Sequence, residues 1–164
     1  MKKVWIKGSL GWLRTHPWVF KKHVKRIDPD LTGGEFCAVH HEKGAFLGSA
    51  IFNPRANITL RFYSRREEPL EYPLIKSHIE RALNYRKNYL AGEDSFRVVF
   101  SESDSLPGLV VDKYKNGLVF QIHSLGLERR RKDIIDEVQP NEHALYRNCN
   151  AACTGSMLQC SGRL

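Results

Sequence analysis

Three acidic residues around a Pro-Gly turn form the part of the sequence that most suggests chemistry. Glu102, Asp104 and Asp112 stand on either side of Pro107 and Gly108. Carboxylates at such spacing could hold a metal ion or act as general acid and base. Asp and Ser side chains next to Pro-Gly more commonly accept hydrogen bonds from the backbone N–H groups of the turn. The sequence therefore favours a structural turn here over a catalytic site.

The four cysteines are distributed unevenly. Cys149, Cys153 and Cys160 lie close to the end of the chain, whereas Cys37 stands alone. This is not the pattern of a disulfide framework, so we expect reduced thiols. Zinc ligands usually come as two closely spaced pairs. With His143 as a fourth ligand the tail offers one pair and one distant cysteine, and we predict no metal site.

The chain is strongly basic. Lys and Arg number 26 against 18 Asp and Glu, which gives a net charge of +8 and a pI near 9.5. Such a field attracts polyanions, although charge alone does not establish nucleic-acid binding. No stretch approaches the ~20 apolar residues of a membrane span, and the start of the chain lacks the apolar core of a signal peptide. We therefore expect a soluble cytoplasmic protein with no membrane partner.

The first part of the chain has the pattern of a small β-rich barrel or sheet. Apolar runs at 36–40 and 45–52 are separated by Glu42-Lys43-Gly44, which predicts a hairpin. Asp28-Pro29-Asp30 and Gly33-Gly34 predict the loop before it, because Pro presets a turn and Gly supplies positive φ.

The second part has the pattern of an α+β domain. The charged segment 64–69 ends in proline and predicts a boundary. Apolar residues at three- and four-residue spacing predict a helix over 73–91, and the Asn116-Gly117 pair suits a tight hairpin turn. We expect strands at 95–101, 108–114 and 117–123, a second helix from Gly126 to just before Pro140, and no regular structure over 141–164.

Three segments carry a resemblance to a known family: His16-Pro17-Trp18-Val19-Phe20, the stretch from Asn53 to Phe62, and the stretch from Glu102 to Tyr114. Over roughly residues 2–140 the chain resembles the amino-terminal half of the 23S ribosomal RNA cytosine-5 methyltransferases of the large-subunit methyltransferase I type. The resemblance implies a PUA-like β-barrel at residues 1–65, followed by a small α+β connecting domain at 70–140.

The resemblance also implies that the first domain docks ribosomal RNA. Basic side chains would neutralise phosphates, and rings would stack on unpaired bases. Core packing is the alternative for Trp18 and Phe20, and His16 could simply close the turn at Pro17. The candidate RNA-binding residues are Lys7, Trp12, Arg14, His16, Lys21, Lys22, Lys25, Arg26, Arg55 and Arg61, with Lys2 and Lys3 as further cations and Trp18 and Phe52 as further rings.

Methyl transfer in this family requires S-adenosylmethionine and a cysteine thiolate that attacks the cytosine ring. The sequence contains no Gly-rich cofactor loop, and no cysteine matches the family's catalytic one. We therefore expect no cofactor in this chain and no complete Rossmann methyltransferase domain. The change of character after residue 140 suggests that residues 141–164 are the non-native tail of a truncated gene.

Three functional hypotheses follow from these observations. The first is the RNA-binding part of an rRNA cytosine-5 methyltransferase that is inactive alone. The second is a non-catalytic adaptor that uses the same domains to bind RNA or protein, including a second copy as a homodimer. The third is an active enzyme formed with a separate methyltransferase polypeptide.

Overall fold

The computed structural model describes residues 1–115 and 117–138, together with the backbone of two strands at 143–148 and 158–159. The chain divides into two compact units, Met1–Glu71 and Tyr72–Leu164. The division lies next to the charged segment 64–69.

The first unit is a curled six-stranded sheet. Its strands follow the order β2-β6-β5-β4-β1-β3, and all neighbours are antiparallel except β1 and β4. Strands β2 and β3 occupy opposite edges although only three residues separate them in the chain, so the sheet must curl. The prediction of a small β-rich barrel or sheet is confirmed at this level, as is the 36–52 hairpin. The elements are β1 (Lys2–Ile6), α1 (Leu10–Thr15), β2 (Trp18–Phe20), a 3₁₀ turn (Lys21–His23), β3 (Val24–Ile27), β4 (Phe36–His41), β5 (Phe46–Phe52) and β6 (Ile58–Ser64).

The core of the first unit lies inside the curled sheet. Alternate residues of the strands point inward, as the two-residue period of a β-strand requires, and α1 adds Leu13. The tightest point is Gly48 on β5, which has φ of +146°. A Cβ atom at Gly48 would lie 2.5 Å from the backbone oxygen of Ser64. The buried set includes Val4, Ile6, Val19, Cys37, Val39, Ala50, Phe52, Leu60 and Phe62.

The loop before β4 is held by a carboxylate. Glu35 accepts a hydrogen bond from the Thr32 backbone N–H at 2.5 Å and forms an ion pair with Lys2 at 2.9 Å. The Lys2 ammonium also donates to the backbone oxygen of Asp30. The Thr32 N–H, and next the Lys2 ammonium, lower the pKa of Glu35 from its ordinary value of 4.5. The carboxylate therefore fixes the loop most firmly when it is charged.

The second unit combines a five-stranded sheet with helices. The sheet order is β11-β10-β9-β8-β7, with β9 and β10 parallel and the other neighbours antiparallel. Helix α2 packs against β7 and α4 through Ile75, Ile79 and Ala82, which recur at the spacing of one helix face. The elements are α2 (Tyr72–Tyr89), β7 (Ser95–Phe100), β8 (Leu109–Tyr114), β9 (Gly117–Ile122), α3 (Leu125–Glu128), α4 (Arg131–Val138), β10 (His143–Asn148) and β11 (Leu158–Gln159).

Helix α2 and strands β7 to β9 agree with the sequence predictions to within two residues, but the prediction of one continuous helix over 126–139 is wrong. That stretch forms two helices, because the Arg130 N–H bonds to the oxygen of Leu127, three residues back. This tighter turn interrupts the four-residue ladder, which resumes when the Ile134 N–H bonds to the oxygen of Arg130. All residues of the break are good helix formers, so propensity does not reveal it.

The prediction of no regular structure over 141–164 is also wrong for two segments. Residues 143–148 form β10, which pairs in parallel with β9, and residues 158–159 form β11. The free edge of β9 supplies the hydrogen-bond partners for β10, and a local pattern cannot show such a long-range pairing. The rest of the tail lies outside the described residues, as does Asn116 of the predicted hairpin turn.

We expect Gly48→Ala to destabilise the first unit by about 3 kcal/mol, because the added methyl group meets backbone that cannot give way and the left-handed φ is strained. Urea unfolding followed by tryptophan fluorescence measures this, since Trp5, Trp12 and Trp18 all lie in the first unit and the chain has three tryptophans. Gly44→Ala is the matched control. Gly44 also has positive φ, at +95°, but its Cβ would meet nothing within 4 Å, so we expect a loss of only about 1 kcal/mol. Equal losses in the two variants would contradict the steric explanation.

Acid should weaken the first unit partly through Glu35. Because the pKa of folded Glu35 is lowered, its contribution is complete above its ordinary value of 4.5 and is lost as the pH falls through the folded pKa. The free energy of unfolding of Glu35→Gln should therefore fall less than that of the wild type between pH 6 and 3. Lys2→Met should reduce the pH dependence without abolishing it, because the Thr32 N–H, the largest cause of the lowered pKa, remains. A Glu35→Gln variant with the full wild-type dependence would refute this assignment.

Candidate nucleic-acid interface

A basic groove runs along the edge strand β3 of the first unit. The groove has a volume of about 400 Å³ and lies between β3 and the loop that joins β5 to β6. The 3₁₀ turn brings Lys21 to one end, where the Lys21 N–H bonds to the oxygen of Asn57 in the loop at 2.9 Å. Its lining residues are Lys21, Val24, Lys25, Arg26, Ile27, Pro54 and Thr59.

The opposite wall is a loop fixed by its own hydrogen bonds. The side-chain oxygen of Asn53 accepts from the backbone N–H of Arg55 at 3.1 Å, a turn typical of Asn. The backbone N–H of Asn53 donates to the oxygen of Thr59 at 2.8 Å, and the Thr59 hydroxyl donates to the oxygen of Ala56. The groove therefore has a wall whose shape does not depend on a ligand.

The groove is positively charged. It contains three cationic side chains, and none of the lining residues within the described part of the chain is acidic. The guanidinium of Arg26 lies 3.4 Å from the ring centroid of Trp5. This cation–π contact limits the conformations of Arg26. Chemically, the groove suits phosphate groups better than it suits a cation.

A cluster of rings lies next to the 3₁₀ turn. The rings of Trp12 and His16 are stacked with centroids 4.7 Å apart, and His23 lies 5.3 Å from Trp12. Trp18 meets His16 edge to face at 5.8 Å. All four side chains are half-buried. Since Lys21 and His23 belong to one 3₁₀ turn, that turn joins the groove to this ring cluster.

His16 closes the turn at Pro17. Its Nδ1 lies 3.2 Å from both the backbone N–H and the backbone oxygen of Trp18, so it accepts from the N–H in one tautomer and donates to the oxygen in the other. The geometry thus bears out the turn-closing interpretation, and the same ring also stacks on Trp12. Contact between His16 and RNA stays a prediction.

The structure brings together only some of the predicted RNA-binding residues. Lys21, Lys25 and Arg26 line the groove, Trp12 and His16 form the ring cluster, and the Arg61 guanidinium lies 5.5 Å from the Trp18 ring. The others lie outside the groove lining and are exposed. Lys7 bonds to His23 through its backbone N–H, Lys22 belongs to the 3₁₀ turn, Arg14 lies in the last turn of α1, and Arg55 follows Pro54.

Phe52 is wrongly predicted as a ring face for bases. It is 1 % exposed and belongs to the core, because its position on β5 points into the curled sheet. Lys2 is exposed only in part, and its ammonium is engaged by Glu35 and Asp30. Trp18 and Phe20 are half-buried, so neither the fully buried nor the open interpretation fits them.

Two residues that the sequence does not single out hold this region in place. The Arg65 guanidinium donates to the backbone oxygens of Leu13, Leu47 and His16 at 3.1–3.2 Å. The Nε2 of His41 lies 3.1 Å from the oxygen of Gly8. Both side chains contact backbone oxygens of residues that are distant in sequence, so no local pattern predicts either contact. The groove wall at Pro54 and Thr59 is missed for the same reason.

The acidic residues of the second unit serve its structure. Asp104 forms a two-pronged ion pair with Arg86 at 2.7 and 2.8 Å and accepts from the backbone N–H of Phe100. Asp112 pairs with Arg97 in the same way. No cluster of metal-binding side chains occurs in the part of the chain that the structure describes. The turn interpretation of this segment therefore fits the geometry better than the catalytic one.

Two further sequence predictions concern the metal ligands of the tail and membrane-spanning segments. Cys149, Cys153 and Cys160 lie outside the described residues, and nothing is described of the side chain of His143. None of the described helices combines the length and the apolar character needed to cross a membrane.

Comparison with known proteins agrees with the resemblance seen in the sequence. Residues 8–65 match the model of a PUA-like domain. Ribosomal RNA large subunit methyltransferase I from Vibrio cholerae is 32% identical over 125 residues, which are 75% of this chain and 32% of the relative. The same enzyme from Pseudoalteromonas translucida is 35% identical over 125 residues, covering 74% and 32%. The chain thus spans about a third of the length of these relatives.

Solved structures share the fold. A protein from Streptococcus mutans described as a SAM-dependent methyltransferase superposes with a TM-score of 0.76 at 17% identity, over 90% of this chain and 41% of that one. A methyltransferase solved in complex with SAH gives a TM-score of 0.77, also at 17% identity, over 90% and 40%. The chain is therefore related, over three quarters of its length, to ribosomal RNA large subunit methyltransferase I, and it carries a PUA-like domain at residues 8–65.

Proposed function

We propose that the first unit binds ribosomal RNA, and that the chain is the RNA-docking part of a SAM-dependent rRNA cytosine-5 methyltransferase. The observation that carries the proposal is the basic groove of a PUA-like domain, joined by one 3₁₀ turn to a cluster of aromatic rings. Phosphates and unpaired bases are the two parts of RNA that such a surface suits. The relationship to rRNA methyltransferases supports ribosomal RNA as the ligand.

The groove supplies the electrostatic part of binding. Lys21, Lys25 and Arg26 all line the groove, so a phosphate placed there displaces counterions and lies near more than one basic residue. Arg26 is already restrained by the Trp5 ring, which reduces the entropy lost when its guanidinium meets a phosphate. Val24, Ile27 and Pro54 add apolar lining against which a ribose can pack.

The ring cluster supplies the stacking contacts that distinguish unpaired from paired nucleotides. Trp12 and Trp18 are half-buried, so part of each ring is open to a base while the remainder is fixed by packing. His16 stacks on Trp12 and holds the backbone of Trp18, which keeps the two indoles in a constant relation. A single-stranded segment or loop is therefore the RNA form that this surface favours.

The groove does not suit S-adenosylmethionine. The sulfonium centre of the cofactor is a cation, and the three cations of the groove repel it. We propose that methyl transfer is carried out by residues other than those of this chain, which positions the RNA. The chain alone is then inactive, and a separate or adjoining methyltransferase domain supplies the reaction.

Charge reversal in the groove should weaken RNA binding. We expect Lys25→Glu to lower the affinity for a single-stranded ribosomal RNA oligonucleotide about tenfold and to reduce the slope of log affinity against log salt by about 1. Arg66→Glu makes the same change of charge outside the groove. Thr59, which lines the groove, lies near the start of β6, whereas Arg66 follows its end. Arg66→Glu is the matched control, and fluorescence anisotropy in a salt series measures both.

Two outcomes would contradict the groove assignment. If both variants weaken binding equally, the effect reflects net charge and the groove has no special role. If neither variant weakens binding, the result favours a non-catalytic adaptor with a protein partner over RNA docking.

Isothermal titration calorimetry of the chain with S-adenosylmethionine should give no binding heat, because the groove repels the sulfonium. S-adenosylmethionine titrated into buffer provides the baseline. A clear saturable signal would show that the chain binds the cofactor itself and would overturn the division of labour proposed above.

A further inference from the structure

We propose that helix α2 of the second unit carries a separate RNA contact, in which an unpaired base stacks on the ring of Tyr89. Tyr85 and Tyr89 stand one helical turn apart, with ring centroids 4.7 Å apart and planes tilted by 38°. Tyr85 is 58 % exposed and Tyr89 is 71 % exposed. The proposed function makes no use of this surface, because it places RNA on the first unit.

The tyrosine pair is supported from one side by a fixed arginine. The Arg86 guanidinium lies 5.5 Å from the Tyr85 ring. Asp104 holds that guanidinium by two hydrogen bonds, and the Arg86 Nε donates to the oxygen of Arg97 at 3.2 Å. Arg86, Tyr85 and Tyr89 therefore form an ordered stack, called the tyrosine stack below. Because Arg86 is already fixed, less conformational entropy is lost when a base binds than if all three side chains were free.

The spacing of the tyrosine stack defines where a base can go. Insertion between two rings needs about 7 Å, roughly twice the 3.4 Å stacking distance of nucleic-acid bases. The 4.7 Å between Tyr85 and Tyr89 is too short for that. One face of Tyr85 is also adjacent to Arg86. The outer face of Tyr89 is then the place for a base, which would extend the stack by one ring.

Lys87 is the cation beside the tyrosine stack that favours RNA over an apolar protein surface. It is exposed, whereas Arg86 is already paired with Asp104, and Glu93 and Asp94 follow the helix. Arg86 and Lys87 lie in the last turn of α2, where they offset the partial negative charge of the helix end. Exposed rings combined with cations are the usual components of single-strand binding, and base stacking tolerates any sequence. A duplex hides its base faces and cannot use the stack.

The test uses the full chain and a fluorescein-labelled single-stranded oligouridine, with an RNA duplex of the same length as comparison. The double variant Tyr85→Ala, Tyr89→Ala should bind the single strand about tenfold more weakly and the duplex as the wild type does. The double variant Tyr85→Phe, Tyr89→Phe keeps both rings and should retain wild-type affinity. Tyr114→Ala is the matched control, because Tyr114 is 59 % exposed but stands on strand β8, and it should change nothing.

A direct measurement on the wild-type chain does not require that any variant folds. Ultraviolet crosslinking of the wild-type chain to oligouridine, followed by mass spectrometry of the digest, should identify the peptide that contains Tyr89. Unchanged single-strand affinity of a folded alanine variant, or crosslinks only to the first unit, would overturn the proposal. Light scattering that shows a wild-type dimer and a monomeric alanine variant would also overturn it, because the tyrosine stack would then bind a second copy.

The same measurements separate this proposal from the proposed function. Lys25→Glu should weaken single-strand and duplex binding alike, whereas loss of the tyrosine stack should affect the single strand alone. If the tyrosine substitutions weaken RNA binding but Lys25→Glu does not, the α2 contact is supported and the groove assignment is contradicted.

Discussion

The first unit depends on one geometric constraint, which is that the two edge strands of its sheet are neighbours in the chain. Three residues, Lys21 to His23, connect β2 to β3. A flat six-stranded sheet would place those edges far apart, since strands lie about 4.8 Å from their neighbours. The sheet must therefore curl until a three-residue connection can span the two edges, and the small residues on β5 permit the close approach that curling demands. The groove and the ring cluster both lie at this seam because the connecting turn contributes to each.

The second unit is organised by two arginine–carboxylate pairs. Arg86 reaches from α2 to Asp104, and Arg97 of β7 meets Asp112 of β8. Two-pronged pairs of this kind fix orientation as well as distance. The side chains of Arg86 and Asp104 are nearly buried, so their contribution is greater to a unique arrangement than to net stability. The acidic segment that suggested catalysis thus ties the long helix to the sheet.

Local patterns account for much of the fold but for less of the site. The 36–52 hairpin and helix α2 follow from apolar spacing and turn residues, because those signals act over a few positions. Strand β10 depends on the free edge of β9, and the break between α3 and α4 depends on one tighter hydrogen bond. In the candidate site, charge and resemblance single out Lys21, Lys25 and Arg26. Sequence alone does not show that Pro54 and Thr59 form the facing wall, or that Phe52 points inward.

Strand β3 has a consequence for how the protein behaves at high concentration. It pairs with β1 on one side only, and an open strand edge is a template on which another chain can add a strand. Lys25 and Arg26 place two adjacent like charges on that edge, so a second copy that approaches edge to edge meets its own repulsion. An anion bound in the groove would neutralise these charges and remove the protection, unless it also covers the edge. Aggregation of the protein should then depend on which anions are present, in addition to how much protein there is.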